Sequence, residues 1–309
     1  MNTLELQDYY MNLPSDLSGS RSKNRFRVEL LWGVNKMLEL LNSPNDFVMI
    51  FDYVCDIELH FNNKFEFYQI KSHKTGSSSY TPDKLTKRKS DKDDGSIIGK
   101  LYILNKDCSD KIKLAIVSNV AFSDNNKTNC NDITCFNDMS KETKSLIEER
   151  LKKELQLDTV DLSSIYYICT NMDLTNPEST VIGKLVLTIK SIKNCETSRP
   201  VALYKNLYDE VEKRACYENS LKSYNELVDK KGIERSYLEE LIECHLDNEK
   251  TGIDQTKKFI DSLQDIRKKK HYKNALNSLL TNHAVSKSFN ELENKISNEL
   301  LRMDSHNED

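Results

Sequence analysis

The chain has 309 residues, 30% of them charged, with only 8 Gly and 5 Pro, a composition that excludes a disordered or fibrous protein and favours a helix-rich globular one with a sizeable core. With 45 basic against 49 acidic residues the net charge is −4, so no whole-molecule field draws it onto nucleic acid, and any such contact must come from local basic patches. The eight cysteines include no C-x-x-C pair, there is no basic-then-apolar leader, and no apolar run reaches about 18 residues. A disulfide scaffold, a zinc finger and a membrane span are thereby excluded, and reduced thiols in a soluble, cytoplasmic protein are expected.

A first basic patch, Arg21, Lys23, Arg25 and Arg27, runs into a helix from about Asn24 to Leu41. Phe26, Leu30, Val34, Met37 and Leu41 recur at helical spacing and form its buried stripe. Glu29 lies just off that stripe, with Gly33 one turn later. Phe47–Phe51 reads as an apolar strand of a sheet covered on both faces.

Val54 to Lys71 reads as a β-hairpin with its tight turn at Asn62-Asn63. That register places Asp56 opposite Gln69, with Lys71 on the same face one pleat further along. An acid, an amide oxygen and an ammonium converge. Asp56, the Gln69 carbonyl oxygen and the Ile70 backbone carbonyl are hard oxygen ligands suited to Mg²⁺. Lys71 beside them could hold a scissile phosphate, orient a water and stabilise charge on phosphate oxygens. An amphipathic hairpin whose Asp56, Gln69 and Lys71 simply face water has the same pattern, and spacing alone leaves both readings open. Glu58 shares the Asp56 face and is the alternative carboxylate, whereas Glu66 points the other way. His60 and His73 are either proton shuttles or surface residues.

Ser72 to Gly95 is expected to be a loop, and Lys74, Lys84, Lys87, Arg88, Lys89 and Lys92 give it either a DNA-contacting patch or a solvated one. A short helix near Ser96–Asn105 follows, then a strand Ile112–Ser118, an Asn/Asp-rich loop near 123–138, a helix Lys141–Leu155 and a strand Ile165–Cys169. Asn176-Pro177-Glu178 signals the start of a helix running to about Ile192. Gly95-Ser-Ile-Ile-Gly99-Lys100 has three residues between its glycines and no Ser or Thr after the Lys, which excludes a phosphate loop. Beyond Ser198-Arg199-Pro200 only helical stripes remain: Leu203/Leu207/Val211/Ala215, Leu238/Leu241/Ile242/Leu246, Phe259/Ile260/Leu263/Ile266, Leu276/Leu279/Leu280 and Phe289/Leu292/Ile296/Leu300. The expected fold is therefore α/β, a mixed sheet flanked by helices over residues 1–196, followed by an all-α interaction or oligomerisation domain over 197–309. The basic run Arg267–Lys270 reads as a solvated helix end.

The order Asp56, hairpin, Gln69-x-Lys71 resembles the active-site pattern of the PD-(D/E)XK restriction-endonuclease-like superfamily, in the variant with Gln before x-Lys. With the Ser18–Lys23 start, the helix bearing Glu29, and the strands Lys113–Asn119 and Ile165–Thr170, the first two thirds of the chain resemble the nuclease domain of CD-NTase-associated double-stranded DNA endonucleases, shared with Lamassu-type anti-phage nuclease subunits. The resemblance implies a restriction-endonuclease-like sheet, Mg²⁺- or Mn²⁺-dependent cleavage of double-stranded DNA, and Glu29 pointing toward the metal. It also implies an effector controlled by an SMC-like ATPase, another defence-system subunit or homo-oligomerisation. The C-terminal helices are too short for the nucleotide-sensing domain of some relatives, which favours partner control. Two other readings stay open, a catalytically degenerate nuclease-fold scaffold and an RNA-cleaving nuclease.

Overall fold

The computed structural model describes residues 7, 11–12, 17–73, 79–88, 95–107, 110–124, 127–129, 133–172, 176–264 and 266–281. Its first long element is α1 (Ser18–Leu40), which buries Leu30, Val34 and Met37 of the stripe that the sequence predicts, and Leu31 and Leu38 beside it. Three antiparallel strands follow, β1 (Val48–Phe51), β2 (Ile57–His60) and β3 (Phe65–Lys71), joined by the expected hairpin. The observed pairs Ile57↔Tyr68, Glu58↔Phe67, Leu59↔Glu66 and His60↔Phe65 are the register that a turn at Asn62-Asn63 dictates.

After β3 the chain forms α2 (Pro82–Thr86) and α3 (Ile97–Tyr102), then returns as β4 (Ile112–Ser118), parallel to β3. Three short strands, β5 (Phe122–Asp124), β6 (Lys127–Asn129) and β7 (Ile133–Cys135), lead to α4 (Lys141–Leu155) and to β8 (Ile165–Cys169), which pairs parallel to β4 and antiparallel to β7. Next come α5 (Pro177–Lys193), α6 (Pro200–Ala215), α7 (Tyr224–Lys231), β9 (Gly232–Glu234), α8 (Arg235–Ser262) and α9 (Ile266–Thr281). The main sheet has seven strands in the order β7-β8-β4-β3-β2-β1-β9, a mixed sheet with helices on both faces.

Alternation along the strands sorts side chains into two cores. Met49, Phe51, Ile57, Leu59, Tyr68, Ile70, Ala115 and Val117 pack under α1, α5, α6 and α8. Phe67, Leu114, Ile116, Ile165 and Tyr167 pack on the other face with α2, α3 and α4. Gly33 lets α1 lie close on β1, because a Cβ there would stand 2.5 Å from Phe51 Cε1 and 2.9 Å from Ile57 Cδ1. An ion pair between Arg27 and Glu178 ties α1 to α5, so this arginine of the first basic patch is engaged within the fold.

Several expectations need correction. The stretch after Ser72 contains α2, capped by Thr81 and opened by Pro82, and the Asn/Asp-rich region holds β5, β6 and β7; each is too short for a periodic signal. The Leu238–Leu246 stripe and the Phe259–Ile260 start of the next one share the single α8 of 28 residues, since the polar run between them contains no Pro, while Leu263 lies just past its end and Ile266 opens α9. The fifth stripe, around Phe289–Leu300, lies outside the described residues.

The region beyond 197 is not helical throughout, and the packing does not divide at 196. β9 pairs with β1 as the sheet edge, through Met49↔Ile233 and Ile50↔Gly232. Gly232 is needed there, because a Cβ would lie 2.7 Å from the Val228 carbonyl and 2.9 Å from Val48 Cγ1. Leu203, Leu207, Val211, Ile233, Leu238, Ile242 and Leu246 complete the core under the sheet. Lys231, 3% exposed, donates to the Ala215 and Tyr217 carbonyls at 2.8 and 3.0 Å, and Arg235 donates to carbonyls at the end of α1. Among the described residues, the end of α8 and α9 share a separate cluster, Ile260, Leu263, Tyr272 and Leu276. No described helix is long and apolar enough to cross a membrane.

A chain ending at Arg199 is therefore expected to lose its cooperative urea transition and near-ultraviolet circular dichroism, whereas one ending at Gly252 keeps both. Cooperative unfolding of the shorter chain at the parent midpoint would show that the two parts fold separately.

Candidate active site

The site is assembled where β1, β2 and β3 end together. Between β1 and β2 the chain makes a tight loop: Asp52 takes a left-handed conformation (φ 50°), and its N–H donates to the Asp56 carbonyl at 3.0 Å. Asp tolerates that conformation better than most residues. Asp56 Oδ2 accepts the Ile70 N–H at 2.7 Å and a hydrogen bond from the Gln69 side-chain amide. Lys71 Nζ stands 3.8 Å from the same oxygen, with the two side chains 31% and 21% exposed. The trio read from the hairpin is thus brought together around one carboxylate oxygen.

Ile70 contributes its backbone. Phe65 N–H donates to Lys111 across the gap to β4, and the Lys71 carbonyl accepts from Ser118 Oγ on β4. Alternate residues of a strand direct N–H and C=O together to one side, so both polar groups of Ile70 face the Asp52–Asp56 loop.

Glu29 approaches from α1. Its pKa is raised from 4.5 to about 7, first by burial, then by the Asp56 charge, with Lys71 opposing and Asp52 adding to the rise. Asp56 is also raised, by burial that outweighs Lys71, the Ile70 N–H and the Gln69 amide. Glu29, Asp52 and Asp56 therefore repel one another beside Lys71, with Arg25 also opposing the rise at Glu29, an arrangement that favours a cation.

The residues fit a small hard cation in one manner. Among the described residues no three His, Cys, Asp or Glu side chains cluster closely enough to hold an ion by themselves. Asp56, the Ile70 carbonyl and, after rotation of its amide, the Gln69 oxygen provide a sparse oxygen set of the kind Mg²⁺ completes with water and substrate phosphates.

In front of Gln69 and Lys71 opens a cleft of about 550 Å³ whose other wall carries Lys84, Lys87, Gly95, Ile97 and Lys100. Arg150 braces this wall, donating to Thr86 at 2.7 Å and pairing with Asp83 at 2.5 Å. Arg88 follows Lys87 in extended chain, while Lys74, Lys89 and Lys92 lie outside the described residues. Arg25 approaches from α1, near enough to act electrostatically on Glu29, His73 and Tyr80. Burial, then Lys84 and Arg25, hold His73 below the usual histidine pKa, so near neutral pH it carries no proton to donate as a cation.

The other candidates stand apart from the trio. Glu66 pairs with Lys64 at 2.5 Å and accepts from Tyr68. His60 is buried toward the hairpin turn, and Glu58 turns back to accept the Val54 N–H at 2.6 Å. Two residues escaped the sequence reading. Asp52 left a weak signal, an acid at the end of an apolar strand where the chain must turn. Lys100 sits in the glycine-containing segment that lacks phosphate-loop spacing, yet it lines the cleft.

With the geometry in place, residues 17–215 match the family described as Cap4, dsDNA endonuclease domain. The chain belongs to that family. No curated protein matches it. The Cap4 match runs from the start of α1 to the end of α6 and includes the entire trio, while β9 and α8 lie beyond it.

The Glu29 shift makes stability depend on pH with a definite sign. Neutral Glu29 is preferred in the fold, so its contribution is fully present below about pH 4.5 and is lost as pH rises through about 7. The melting temperature is expected to fall more steeply between about pH 4.5 and 7 for the parent than for Glu29→Gln, and the two profiles should run parallel above that range. Profiles that calorimetry finds parallel within that range as well would remove Glu29 from the site.

Proposed function

We propose that this chain is a Mg²⁺-dependent endonuclease of the PD-(D/E)XK type that cleaves double-stranded DNA, and that it is the nuclease subunit of an anti-phage defence system of the Lamassu kind. The observation that carries this reading is the meeting of Asp56, Gln69, Ile70 and Lys71 at the mouth of a lysine-lined cleft, within a Cap4 endonuclease domain.

Asp56, the Gln69 oxygen and the Ile70 carbonyl would hold the ion, with Glu29 as a further acid. When bound, such an ion polarises the phosphate and lowers the pKa of water. Lys71 binds a phosphate oxygen and orients the attacking water, and its charge offsets the negative charge that grows on the phosphate in the transition state. Lys84, Lys87, Arg88 and Lys100 bind backbone phosphates, which positions a duplex without reading its sequence.

Control by an SMC-like ATPase, another subunit or self-association belongs to the same proposal. A nuclease with phosphate-based binding and little base readout needs restraint, and a net charge of −4 gives it a weak non-specific attraction for DNA when alone. The helical pair α8–α9, with its separate cluster, is the natural place for such a contact.

Lys71→Ala is expected to reduce cleavage of plasmid DNA in Mg²⁺ or Mn²⁺ by about 10²–10³-fold, the usual cost of one transition-state donor. Its melting temperature should stay close to the parent's, since a part-exposed lysine contributes little stability. Cutting at the parent rate would refute the assignment.

A degenerate, non-cleaving scaffold has one observation in its favour, that Gln69 supplies an amide that donates to Asp56 where the commoner pattern has an acid. Gln69→Glu separates the two readings. Added beside Glu29 and Asp56, the new carboxylate should lower the melting temperature of the metal-free protein, and Mg²⁺ should restore it while cleavage is retained or increased. Destabilisation without rescue by Mg²⁺ or Mn²⁺ favours the scaffold.

A further inference from the structure

Glu58 is 2% exposed, and the endonuclease reading gives it no role. Its Oε1 accepts the Val54 N–H at 2.6 Å and the Cys55 N–H at 3.4 Å. Asp52 N–H is taken by the Asp56 carbonyl and Tyr53 N–H by the Cys55 carbonyl, at 3.0 and 3.3 Å. The loop that presents Asp52 and Asp56 is thus closed by its own backbone and by one buried carboxylate. Tyr53 and Val54 at its tip are 50% and 53% exposed, which leaves Cys55, packed in the core beside Phe67, as the loop's hydrophobic contact besides that carboxylate.

Glu58 is itself held from behind. Its Oε2 lies 3.2 Å from His60 Nε2, and His60 Nδ1 lies 3.0 Å from the Tyr224 hydroxyl. The tautomer that satisfies all three groups carries its proton on Nε2, so Tyr224 donates to His60 and His60 donates to Glu58. The His60 ring is fixed between Phe65, at 4.2 Å between ring centroids, and Tyr224, stacked at 5.7 Å. Tyr224 begins α7, outside the matched range 17–215. Lys231 at the end of the same helix acts electrostatically on Glu58 and Asp52.

We propose that Glu58 is a positioning residue for the Asp52–Asp56 loop, and that Tyr224, through His60, makes the segment after residue 215 a support on which the metal-holding geometry of Asp56 depends. The inference rests on the reading of Asp56 as a metal-holding carboxylate. Glu58 acts through its oxygen atoms as acceptors for backbone N–H groups. A glutamine keeps one such oxygen for the loop amides, and its NH2 donates to His60 Nε2 once the ring proton sits on Nδ1 and is donated to the Tyr224 hydroxyl, so it substitutes for the carboxylate. A general base would not survive that exchange, and a carboxylate ligand would lose the charge that holds the cation.

The test uses the full chain in four forms besides the parent, Glu58→Ala, Glu58→Gln, Tyr224→Phe and Asp56→Ala, with Mn²⁺ titrated by calorimetry and hydrogen exchange followed at the Val54 and Cys55 amides. Glu58→Ala is expected to weaken Mn²⁺ binding about 10-fold and to speed exchange at both amides, with Glu58→Gln close to the parent in both. Tyr224→Phe keeps the stacked ring and loses only the hydroxyl, and should produce a change of about 2–5-fold in the same direction. If Glu58→Ala does not fold, the glutamine and Tyr224 variants decide the outcome. Loss of Mn²⁺ binding in Glu58→Gln as complete as in Asp56→Ala would make Glu58 a ligand and overturn the proposal, as would parent-like exchange and binding in Glu58→Ala or, where that variant does not fold, in Tyr224→Phe. Faster exchange in a series whose parent binds no Mn²⁺ would refute the metal reading and leave the positioning role standing.

Discussion

Asp56 Oδ2 is the atom around which this structure is organised. It receives the Ile70 N–H at 2.7 Å and the Gln69 amide, with the Lys71 ammonium at 3.8 Å. Each of these groups belongs to β3, so the geometry is set by the register of a single hairpin. A slip by one residue would turn Gln69 and Lys71 to the opposite face and send Tyr68 and Ile70 into the cleft. The register is fixed by burial, since Leu59, Tyr68 and Ile70 must enter the core under α1 while Phe67 enters the other core. Packing on both faces thereby determines where the polar groups stand.

This explains what could be read from the sequence. Strand period 2, the Asn62-Asn63 turn and the apolar face already specify that Asp56 opposes Gln69, and the observed pairing follows that rule. The α1 stripe, β4, α4 and β8 are long enough for periodicity to define them. Depth and electrostatic coupling are different properties. Glu29 is a plausible helix acid in any sequence, and only its burial beside Asp56 and Asp52 distinguishes it from a solvated one.

The parts that escaped the sequence reading are short or depend on distant partners. β9 has three residues, and its strand character comes from pairing with β1 far earlier in the chain, as the partners Met49 and Ile233 show. The helices after Arg199 have amphipathic stripes that would suit an independent bundle or the cover of a sheet, and periodicity cannot distinguish these uses. Glu58 is the most instructive case. Alternation places it on the face of Asp56, but Glu58 lies within β2 one residue from the loop that precedes the strand, and its carboxylate turns back to the loop amides.

The same arrangement accounts for the tension between folding and function. Burial is the first cause of the raised Glu29 and Asp56 pKa values, and repulsion among the Glu29, Asp52 and Asp56 carboxylates adds to it against Lys71 and, at Glu29, Arg25. Such a site is a local cost to stability, sustained only where the surrounding structure is well determined. Here that structure includes Phe51 and Ile57 pressed against Gly33, the carboxylate of Glu58 under the loop, and β9 on the sheet edge. The last of these comes from chain beyond the Cap4 match. The segment from α7 through Glu249 of α8, whose carboxylate accepts from Thr197, Ser198 and Arg199, is therefore part of the body that holds the site, and the part of α8 with a cluster of its own begins beyond it.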